Sequence, residues 1–401
     1  MKGMVIVGGG HAAAQNAASL RQQGYTGHIT LFSEEHYIPY QRPPLSKEYL
    51  ADQQSLDRLY LRPERFYEER DIDLRLGVRV SEINTKTNNI LTTTGDVLAY
   101  EKLLIATGSR ARLLRVPGDQ LSGIHYLRQL DDVNNIKKEL RDSSKICIVG
   151  GGYVGLEVAS VLISAGHQVT IIESESRILK RVTTPKMSSL FHTLHTAKGA
   201  KIYTEAVVQG FLGSKRVEYL NCGDLTIPTD MVIIGIGIIP NIEVAKKAGI
   251  TCDNGIIVDD RCQTSDPNIF AAGDNTNHPN TILNRRLRLE SVPNAMEQAR
   301  VAAANMLGQD KKYASLPWFW SNQYDLKLQM MGFSADGDSQ AIRGDIETKK
   351  FVVFYLNEDK LVAVDAINSP AEFMIGKKLY GKAVNHTDLS NTNFDLGSLL
   401  K

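Results

Sequence analysis

Two glycine-rich turns hold the residues whose types and spacing are best suited to chemistry. They are Val7-Gly8-Gly9-Gly10-His11-Ala12-Ala13 and Val149-Gly150-Gly151-Gly152-Tyr153-Val154-Gly155. In such a turn the first glycine permits the tight bend, the second lets the backbone approach a pyrophosphate, and a small third residue lets a helix pack on a strand. Backbone N–H groups at the helix N-terminus then hold the anion. The sequence therefore predicts sites for two dinucleotides.

An acidic residue is expected about 20 residues after each turn, where a carboxylate binds a ribose hydroxyl. In the second unit Glu173 ends a strand-like run in that place. A carboxylate there repels a 2′-phosphate, so we expect NAD rather than NADP. The first unit is less regular, because Ser33 stands where the acid is expected. Glu34 is the first candidate for that ribose and Glu35 the second.

The segments around both turns predict the strands and helices that must position them. Each turn follows a β-branched run, 4–7 or 146–149, and precedes a helix-like stretch. Such a strand, turn and helix are the context that a dinucleotide fingerprint requires. Further buried strands are predicted at 103–106 and 231–236, and a helix with one apolar face at 294–307.

The pattern changes after about Trp318. Strands joined by Gly, Asp and Asn turns are predicted at 326–333, 351–356 and 360–364, and a helix at 371–380. The polar residues from Ser390 onward are expected to be loosely held. The predicted fold class is α/β, with two Rossmann-like dinucleotide-binding domains and a C-terminal α+β domain.

Composition excludes several classes of protein. The 401 residues carry a net charge of +1, which argues against a nucleic-acid binder held by a general positive field. The four cysteines, Cys147, Cys222, Cys252 and Cys262, are far apart, so neither a metal site nor a redox-active dithiol is indicated. The longest apolar run, 231–240, is too short for the roughly 20 residues that span a bilayer. We therefore expect a cytoplasmic protein.

Several motifs in a fixed order resemble those of the NADH-dependent ferredoxin reductases of the putidaredoxin reductase type. These are FAD flavoproteins of the glutathione reductase superfamily. The resemblance covers nearly the whole chain, and its most specific stretches are 39–47, 150–157, 235–241, 264–274, 288–295 and 317–323. By this resemblance the first nucleotide unit holds FAD and the second holds NADH, and the FAD domain resumes after the NAD domain. The boundaries that it implies are 1–110 with 242–317 for the discontinuous FAD-binding domain, 111–241 for the NAD-binding domain and 318–401 for the C-terminal α+β domain.

The resemblance also implies which residues contact each cofactor. For FAD they are Gly8, Gly10, Ala12, Ala13, Glu34, Arg42, Lys47, Val80, Ala106, Thr107, Gly108, Arg128, Asp274 and Val292. For NADH they are Gly151, Gly152, Tyr153, Val154, Gly155, Glu173, Arg181, Gly237 and Glu290. Two of these assignments have independent support. The Asp274 carboxylate can accept hydrogen bonds from hydroxyls, and the planar guanidinium of Arg42 suits a pyrophosphate.

Three residues are candidates for catalytic roles by the same resemblance. Lys47 and Glu157 match a pair that lies beside the flavin ring in relatives, where an ammonium group favours the reduced, anionic flavin. Trp320 matches a position that approaches flavin and nicotinamide, although the aromatic run 318–320 would otherwise be read as core. Relatives often carry aspartate where this chain has Asn322, so this chain lacks a negative charge near the active face.

The predicted activity is that of an NADH:ferredoxin reductase. Hydride passes from NADH to FAD, and single electrons then pass to a [2Fe-2S] ferredoxin that supplies a cytochrome P450 or a Rieske-type oxygenase. Rubredoxin is an open alternative to ferredoxin. A disulfide reductase is disfavoured because 37–50 contains no cysteine. A flavin-dependent signalling or binding protein is the alternative from another class, and a monomer or weak homodimer is expected.

Overall fold

The computed structural model describes residues 2–400. The strands are β1 (Gly3–Val7), β2 (Ile29–Ser33), β3 (Ile72–Leu76), β4 (Val80–Asn84), β5 (Asn89–Thr92), β6 (Val97–Ile105), β7 (Ser109–Ala111), β8 (Ile124–Tyr126), β9 (Lys145–Val149), β10 (Gln168–Ile172), β11 (Lys201–Tyr203), β12 (Gly210–Leu212), β13 (Tyr219–Cys222), β14 (Leu225–Pro228), β15 (Met231–Ile234), β16 (Ile238–Pro240), β17 (Ile256–Ile257), β18 (Ile269–Ala271), β19 (Thr276–Asn280), β20 (Arg285–Leu287), β21 (Trp318–Gln323), β22 (Leu326–Gly332), β23 (Ser339–Asp345), β24 (Lys350–Asn357) and β25 (Lys360–Ile367).

The helices connect or follow these strands. They are α1 (His11–Gln22), α2 (Leu56–Leu59), α3 (Glu64–Glu68), α4 (Leu130–Glu139), α5 (Tyr153–Ser164), α6 (Pro185–Ala197), α7 (Glu243–Lys247), α8 (Val292–Met306), α9 (Pro370–Leu379) and α10 (His386–Ser390). Short 3₁₀ turns occupy Pro43–Ser46, Ser334–Asp336 and Leu396–Leu400. Within residues 2–400, no helix combines the length and the apolar character needed to cross a membrane.

The described residues divide into two compact units. The first contains 2–42, 55–110 and 238–317, and the second contains 43–54, 111–237 and 318–400. Each unit contains one of the two glycine-rich turns. This division is coarser than the three predicted domains, whose boundaries stay a prediction.

The first unit is built on a parallel sheet. Its order is β3-β2-β1-β6, with β18 on the other side of β6, and Val5 of β1 lies beside Thr30 of β2 and Leu103 of β6. The residues of β1 and β2 are all buried, as expected for strands covered on both faces. Helices α1 and α8 pack together over this sheet, where Asn16 donates a hydrogen bond to the Ala299 carbonyl. The predicted first dinucleotide-binding fold is confirmed.

The second unit contains a parallel sheet and two antiparallel sheets. The parallel sheet has the order β11-β10-β9-β15-β8, and α5 follows β9 directly after the glycine turn. A small antiparallel sheet, β12-β13-β14, was not predicted from the sequence. Its strands have three or four residues with mixed burial, which is too short for a clear alternating pattern.

The C-terminal part of the second unit is a five-stranded antiparallel sheet of order β21-β22-β25-β24-β23. The three predicted strands lie in β22, β24 and β25, and the predicted helix is α9, so this α+β module is confirmed. The aromatic run 318–320 lies in β21 at the edge of the sheet. Its three rings are half-buried because an edge strand is covered less than a central one.

The prediction that the last dozen residues are loosely held was wrong. The guanidinium of Arg343 donates to the carbonyls of Asn391, Thr392 (3.2 Å) and Phe394 (2.9 Å). Leu396 is also buried, in the final 3₁₀ turn. The polar composition of this segment conceals its attachment because the bonds are made by its backbone rather than by its side chains.

Candidate functional site

The first glycine turn joins β1 to α1 and has the shape of a pyrophosphate cradle. Gly8 has φ +135°, and a Cβ there would lie 2.0 Å from the carbonyl oxygen of Ala106. A Cβ on Gly10, by contrast, would meet no heavy atom of the described residues within 4 Å. Gly10 is the N-cap of α1, and because glycine has no side chain, the first N–H groups of the helix have no side-chain cap. Ala12 and Ala13 are buried beneath the turn.

Two acidic residues at the end of β2 have different surroundings. Glu34 is exposed, with a loose contact of 3.3 Å to Arg79. Glu35 is mostly buried and accepts hydrogen bonds from Tyr40 (2.5 Å) and Arg42 (2.6 Å). Glu34 is therefore the more accessible of the two candidates for the ribose, and Glu35 is held by Arg42.

Arg42 shares its charge with that acidic cluster. Burial by itself would lower the pKa of its guanidinium, but the neighbouring Tyr40, Glu35 and Asp274 outweigh burial and raise the pKa. One NH2 group of the Arg42 guanidinium thus already donates to Glu35 without a pyrophosphate present. The predicted role of Arg42 in FAD binding stays a prediction.

Further predicted FAD residues of the first unit lie just after the carboxyl ends of β6 and β18. Thr107 donates to the Asn241 carbonyl at 2.6 Å, and Gly108 has φ +60°. Asp274 follows β18 and accepts from the Ser109 hydroxyl at 3.0 Å. Three further apolar residues were predicted to contact FAD, of which Val80 and Ala106 are buried and Val292 is half-buried.

The second glycine turn repeats the first with a different third residue. Gly150 has φ +110°, and a Cβ there would lie 2.4 Å from the Gly235 carbonyl oxygen. A Cβ on Gly155 would lie 2.2 Å from the Gly150 carbonyl oxygen, so only glycine lets α5 pack this closely. Gly152, the N-cap of α5, has open space where its Cβ would be. Val154, one residue into the helix, is exposed.

Glu173 closes the second cradle. One carboxylate oxygen accepts from the N–H of Gly151 at 2.7 Å, and the other accepts from the N–H of Glu175 at 2.8 Å. The carboxylate is thereby fixed at the end of β10, next to the turn. The predicted rejection of a 2′-phosphate by this fixed negative charge stays a prediction.

The remaining predicted NADH residues lie in less enclosed places. Arg181 is exposed in the segment that follows β10, and Gly237, with φ +100°, follows β15. Glu290 belongs to the first unit, where it is exposed and pairs with Arg288 at 2.7 Å. Glu290 therefore belongs to the first unit, whereas the other predicted NADH residues belong to the second.

Lys47 and Glu157 form an ion pair inside the second unit. The Lys47 ammonium nitrogen lies 2.6 Å from a Glu157 carboxylate oxygen, and both side chains are largely buried. Ser46 donates to the same oxygen at 2.5 Å, and Ser321 donates to the other at 2.7 Å. The structure thus brings together the two predicted catalytic residues, which are 110 positions apart in the sequence.

Ser46 and Ser321 are functional candidates that sequence reasoning missed. Gln323, which donates to Ser321 at 3.2 Å, is a third. Only the position of Ser46 beside Lys47 could have drawn attention to it. Ser321 and Gln323 alternate along β21, but no pattern in the sequence relates them to a residue of α5.

An aromatic series extends from the second glycine turn along β21. The ring of Tyr153 lies 5.2 Å from that of Phe319, which lies 6.2 Å from Trp320, and Trp320 lies 5.5 Å from Trp318. Trp320 is half-buried in this series. The predicted catalytic tryptophan and the predicted nucleotide turn therefore belong to one continuous packing arrangement.

Arg128, the remaining predicted FAD residue, precedes α4 in the second unit. Its backbone N–H donates to Asp132 at 2.9 Å, next to a capping box made by Gln129 and Asp132. The start of α4 thereby fixes the backbone of Arg128. Its predicted contact with FAD stays a prediction.

The four cysteines are free thiols. Burial raises the pKa of each of them, to about 12 for Cys147. Cys147 and Cys262 are buried, and Cys222 and Cys252 are half-buried. None of these thiols has the lowered pKa of a reactive cysteine.

Two turn-and-helix cradles, each with an acid at the end of the following strand, define a protein that binds two dinucleotides. Residues 2–299 match the sequence model described as "Pyridine nucleotide-disulphide oxidoreductase", and residues 318–400 match "Reductase C-terminal". The chain belongs to the pyridine nucleotide-disulphide oxidoreductase family. Its cofactors are FAD and a pyridine nucleotide, and the open space at Gly10 and Gly152 fits their pyrophosphates.

Similar proteins extend over almost the whole chain. The ferredoxin reductase subunit of 5,5′-dehydrodivanillate O-demethylase from Sphingobium sp. is 40% identical, covering 98% of this chain and 97% of the relative. Putidaredoxin reductase CamA of Pseudomonas putida is also 40% identical, over 94% and 91%. Among solved structures, the covalent putidaredoxin reductase–putidaredoxin complex matches with a TM-score of 0.96 and 38% identity, covering 100% of this chain and 98% of that one.

Proposed function

We propose that the protein is an NADH:ferredoxin reductase that supplies single electrons to a [2Fe-2S] ferredoxin. The observation that carries this proposal is the match of nearly the whole chain to ferredoxin-linked reductases, including one solved in a covalent complex with putidaredoxin. The ferredoxin would serve a cytochrome P450 or a Rieske-type oxygenase, and the cytoplasm is the expected location.

The first unit is proposed to hold FAD. Gly8, Gly10 and the N-terminus of α1 bind its pyrophosphate, Glu34 binds a ribose hydroxyl, and Asp274 accepts from hydroxyls of the ribityl chain. When bound, FAD supplies the chemistry that takes a hydride from NADH and releases electrons one at a time. The protein's part is to orient the reactants and keep water away from them.

The second unit is proposed to hold NADH. Gly151 lets the backbone approach the pyrophosphate, Gly152 and the N-terminus of α5 bind it, and Glu173 accepts from the adenosine ribose. The carboxylate of Glu173 already accepts two backbone hydrogen bonds, so it is fixed in orientation before the coenzyme arrives. A fixed carboxylate both selects a free 2′-hydroxyl and rejects a 2′-phosphate.

Lys47 is proposed to place a positive charge beside the flavin ring. Its ammonium group is held by Glu157, which in turn is held by Ser46 and Ser321. A fixed cation favours the anionic, reduced form of the ring. Trp320 is proposed to exclude water from the same face.

Cytochrome c reduction with NADH, measured with a panel of [2Fe-2S] ferredoxins and rubredoxins, tests the proposal. We expect turnover that depends on at least one ferredoxin and is more efficient with NADH than with NADPH. Turnover with rubredoxins alone would show that the acceptor is a rubredoxin and not a ferredoxin, and the proposed reductase activity would still hold. Reduction of bound FAD by NADH with no turnover on any carrier would favour the signalling or binding class instead.

A further inference from the structure

Asp365 is a buried carboxyl group in the centre of the C-terminal sheet. It lies on β25, the middle strand, and is only 4% exposed. The side chains that act on its charge are the hydroxyls of Thr183 and Tyr355, with no lysine, arginine or histidine of residues 2–400 among them. An uncompensated carboxylate in the interior is costly unless hydrogen bonds stabilise it. Its partners are therefore informative.

Two hydroxyl groups donate to the same oxygen of Asp365. The Thr183 hydroxyl lies 2.8 Å from Oδ2, and the Tyr355 phenol lies 2.9 Å from it. Tyr355 belongs to the neighbouring strand β24, whereas Thr183 belongs to the segment between β10 and α6. The contact with Thr183 thus links the C-terminal sheet to the nucleotide-binding part of the second unit.

The segment 178–184 is in direct contact with the second glycine turn. The N–H of Leu179 donates to the Gly151 carbonyl at 2.9 Å, and the N–H of Thr183 donates to the Leu179 carbonyl at 3.1 Å. The Ile178 side chain occupies the space in which a Cβ of Gly151 would lie. Arg181 lies in the same segment. The position of 178–184 therefore determines the packing against Gly151 in the glycine turn and also the location of Arg181.

We propose that Asp365 is a positioning residue for the pyridine nucleotide: through Thr183 it holds segment 178–184 against the glycine turn. This inference rests on the proposed NADH site and adds to it a role for the C-terminal sheet. Leu179 has φ +57°, which is unfavourable for a residue with a Cβ. A segment with such a backbone needs external contacts to keep its conformation, and the bond between Thr183 and Asp365 is one of them.

The contact has a built-in pH dependence. Burial raises the pKa of Asp365 to about 6, with Thr183 and Tyr355 opposing the rise. Two titratable groups act on Asp365 from neighbouring elements, the phenols of Tyr355 and Tyr153, and burial raises the pKa of both. On β22 the residue opposite Asp365 is Met330, which does not titrate. Above pH 6 the carboxylate accepts both hydroxyls strongly, and a protonated carboxyl accepts them more weakly.

Calorimetric titration of the flavin-loaded full-length chain with NAD⁺ tests the proposal. At pH 7.5 we expect Thr183→Val to weaken NAD⁺ binding about tenfold, the order expected for one lost hydrogen bond to a charged group. Thr183→Ser keeps the hydroxyl and should bind within about twofold of the wild type. Thr184→Val is the matched control, because the Thr184 hydroxyl lies 3.3 Å from the Tyr355 phenol rather than bonding to Asp365.

The Asp365→Asn variant tests the role of ionisation. Asparagine keeps the shape and an acceptor oxygen but cannot titrate, so its NAD⁺ affinity should change less between pH 7.5 and 5.5 than that of the wild type. Equal pH dependence in the two proteins would remove ionisation from the proposal. Should Asp365→Asn fail to fold, the comparison of Thr183→Val with Thr183→Ser decides the matter.

The outcomes separate this inference from the proposed function. Unchanged NAD⁺ affinity in Thr183→Val, in a protein that still reduces ferredoxin with NADH, overturns the positioning role and leaves the function intact. Absence of NAD⁺ binding by the wild-type protein instead contradicts the proposed function. Equal losses in Thr183→Val and Thr184→Val would also overturn the specific role of Asp365.

Discussion

Ser321 donates the hydrogen of its hydroxyl to Oε1 of Glu157 over 2.7 Å. Gln323 donates to Ser321 at 3.2 Å, and the Nε2 of His195 lies 2.9 Å from the Gln323 side-chain oxygen. Burial lowers the pKa of His195, so its ring is neutral at pH 7 and donates one N–H to that oxygen. Each donor in this series points towards Glu157, which suits a carboxylate that must keep one orientation beside Lys47.

Replacing Lys47 with methionine should slow the reduction of bound FAD by NADH, by about tenfold or more, because the fixed cation is lost. Stopped-flow absorbance measures this step directly. Lys47→Arg, which keeps the charge, is the matched control and should be less impaired. An unchanged rate in Lys47→Met with normal FAD content would remove Lys47 from the mechanism.

Ser321→Ala should slow the same step about threefold to tenfold, because Glu157 loses one of its charge-assisted hydrogen bonds. Ser160→Ala is a matched control, since the Ser160 hydroxyl donates to the backbone carbonyl of Glu157 at 2.7 Å rather than to the carboxylate. Stopped-flow rates for both variants are compared at equal FAD content. If the two serine variants behave alike, the carboxylate does not depend on Ser321.

Glu173→Ala should raise the kcat/KM for NADPH relative to that for NADH by about tenfold, because a repulsive charge is removed. Steady-state kinetics with both coenzymes provide the ratio. The control is Glu175→Ala, whose exposed side chain pairs with Lys180 at 2.8 Å. A wild-type enzyme that already uses both coenzymes equally well would contradict the repulsion argument.

Two glycine variants separate coenzyme binding from folding. Gly152→Ala adds a methyl group in open space, so stability should fall by about 1 kcal/mol or less, while NAD⁺ affinity should fall because the methyl group occupies pyrophosphate space. Gly155→Ala places a Cβ 2.2 Å from the Gly150 carbonyl oxygen and should cost about 2 kcal/mol or more of stability. Thermal unfolding and NAD⁺ titration of both variants give the comparison; equal stability of the two would count against the packing role of Gly155.

The pKa of Asp365, raised by burial from 3.8 to about 6, predicts a pH-dependent stability. Between these values the folded chain binds a proton at Asp365 that the unfolded chain releases. The protonated carboxyl therefore makes its full contribution to the free energy of unfolding below pH 3.8, and that contribution is lost as the pH rises through 6. Asp365→Asn removes this loss and should gain up to about 3 kcal/mol on the wild type between pH 4 and 7. The melting temperatures of both proteins across this range show whether the difference changes with pH.

Local patterns predicted the nucleotide-binding folds well, because the turn, its helix and the closing acid lie within about 25 residues of each other. Gly150, Gly155 and Glu173 all have the geometric relationships that their spacing implies. The surroundings of Glu157 could not be predicted in this way. Its partners Ser46 and Ser321 are 111 and 164 positions away, and only the tertiary fold brings them together.

The errors have a common physical cause. The loosely held C-terminal segment was predicted from its polar side chains, whereas Arg343 binds its backbone carbonyls. The short strands β12, β13 and β14 also depend on backbone pairing more than on side-chain pattern. Backbone hydrogen bonds leave no periodic trace in composition, and sequence reasoning is weakest where they dominate.

The protonated state of the four thiols affects how the protein withstands exposure to air. Oxidants and alkylating reagents attack the thiolate, and the raised pKa of every cysteine keeps that form scarce at neutral pH. The enzyme should therefore store well without added reductant, and the first residues to be modified after long oxidation should be the half-buried Cys222 and Cys252.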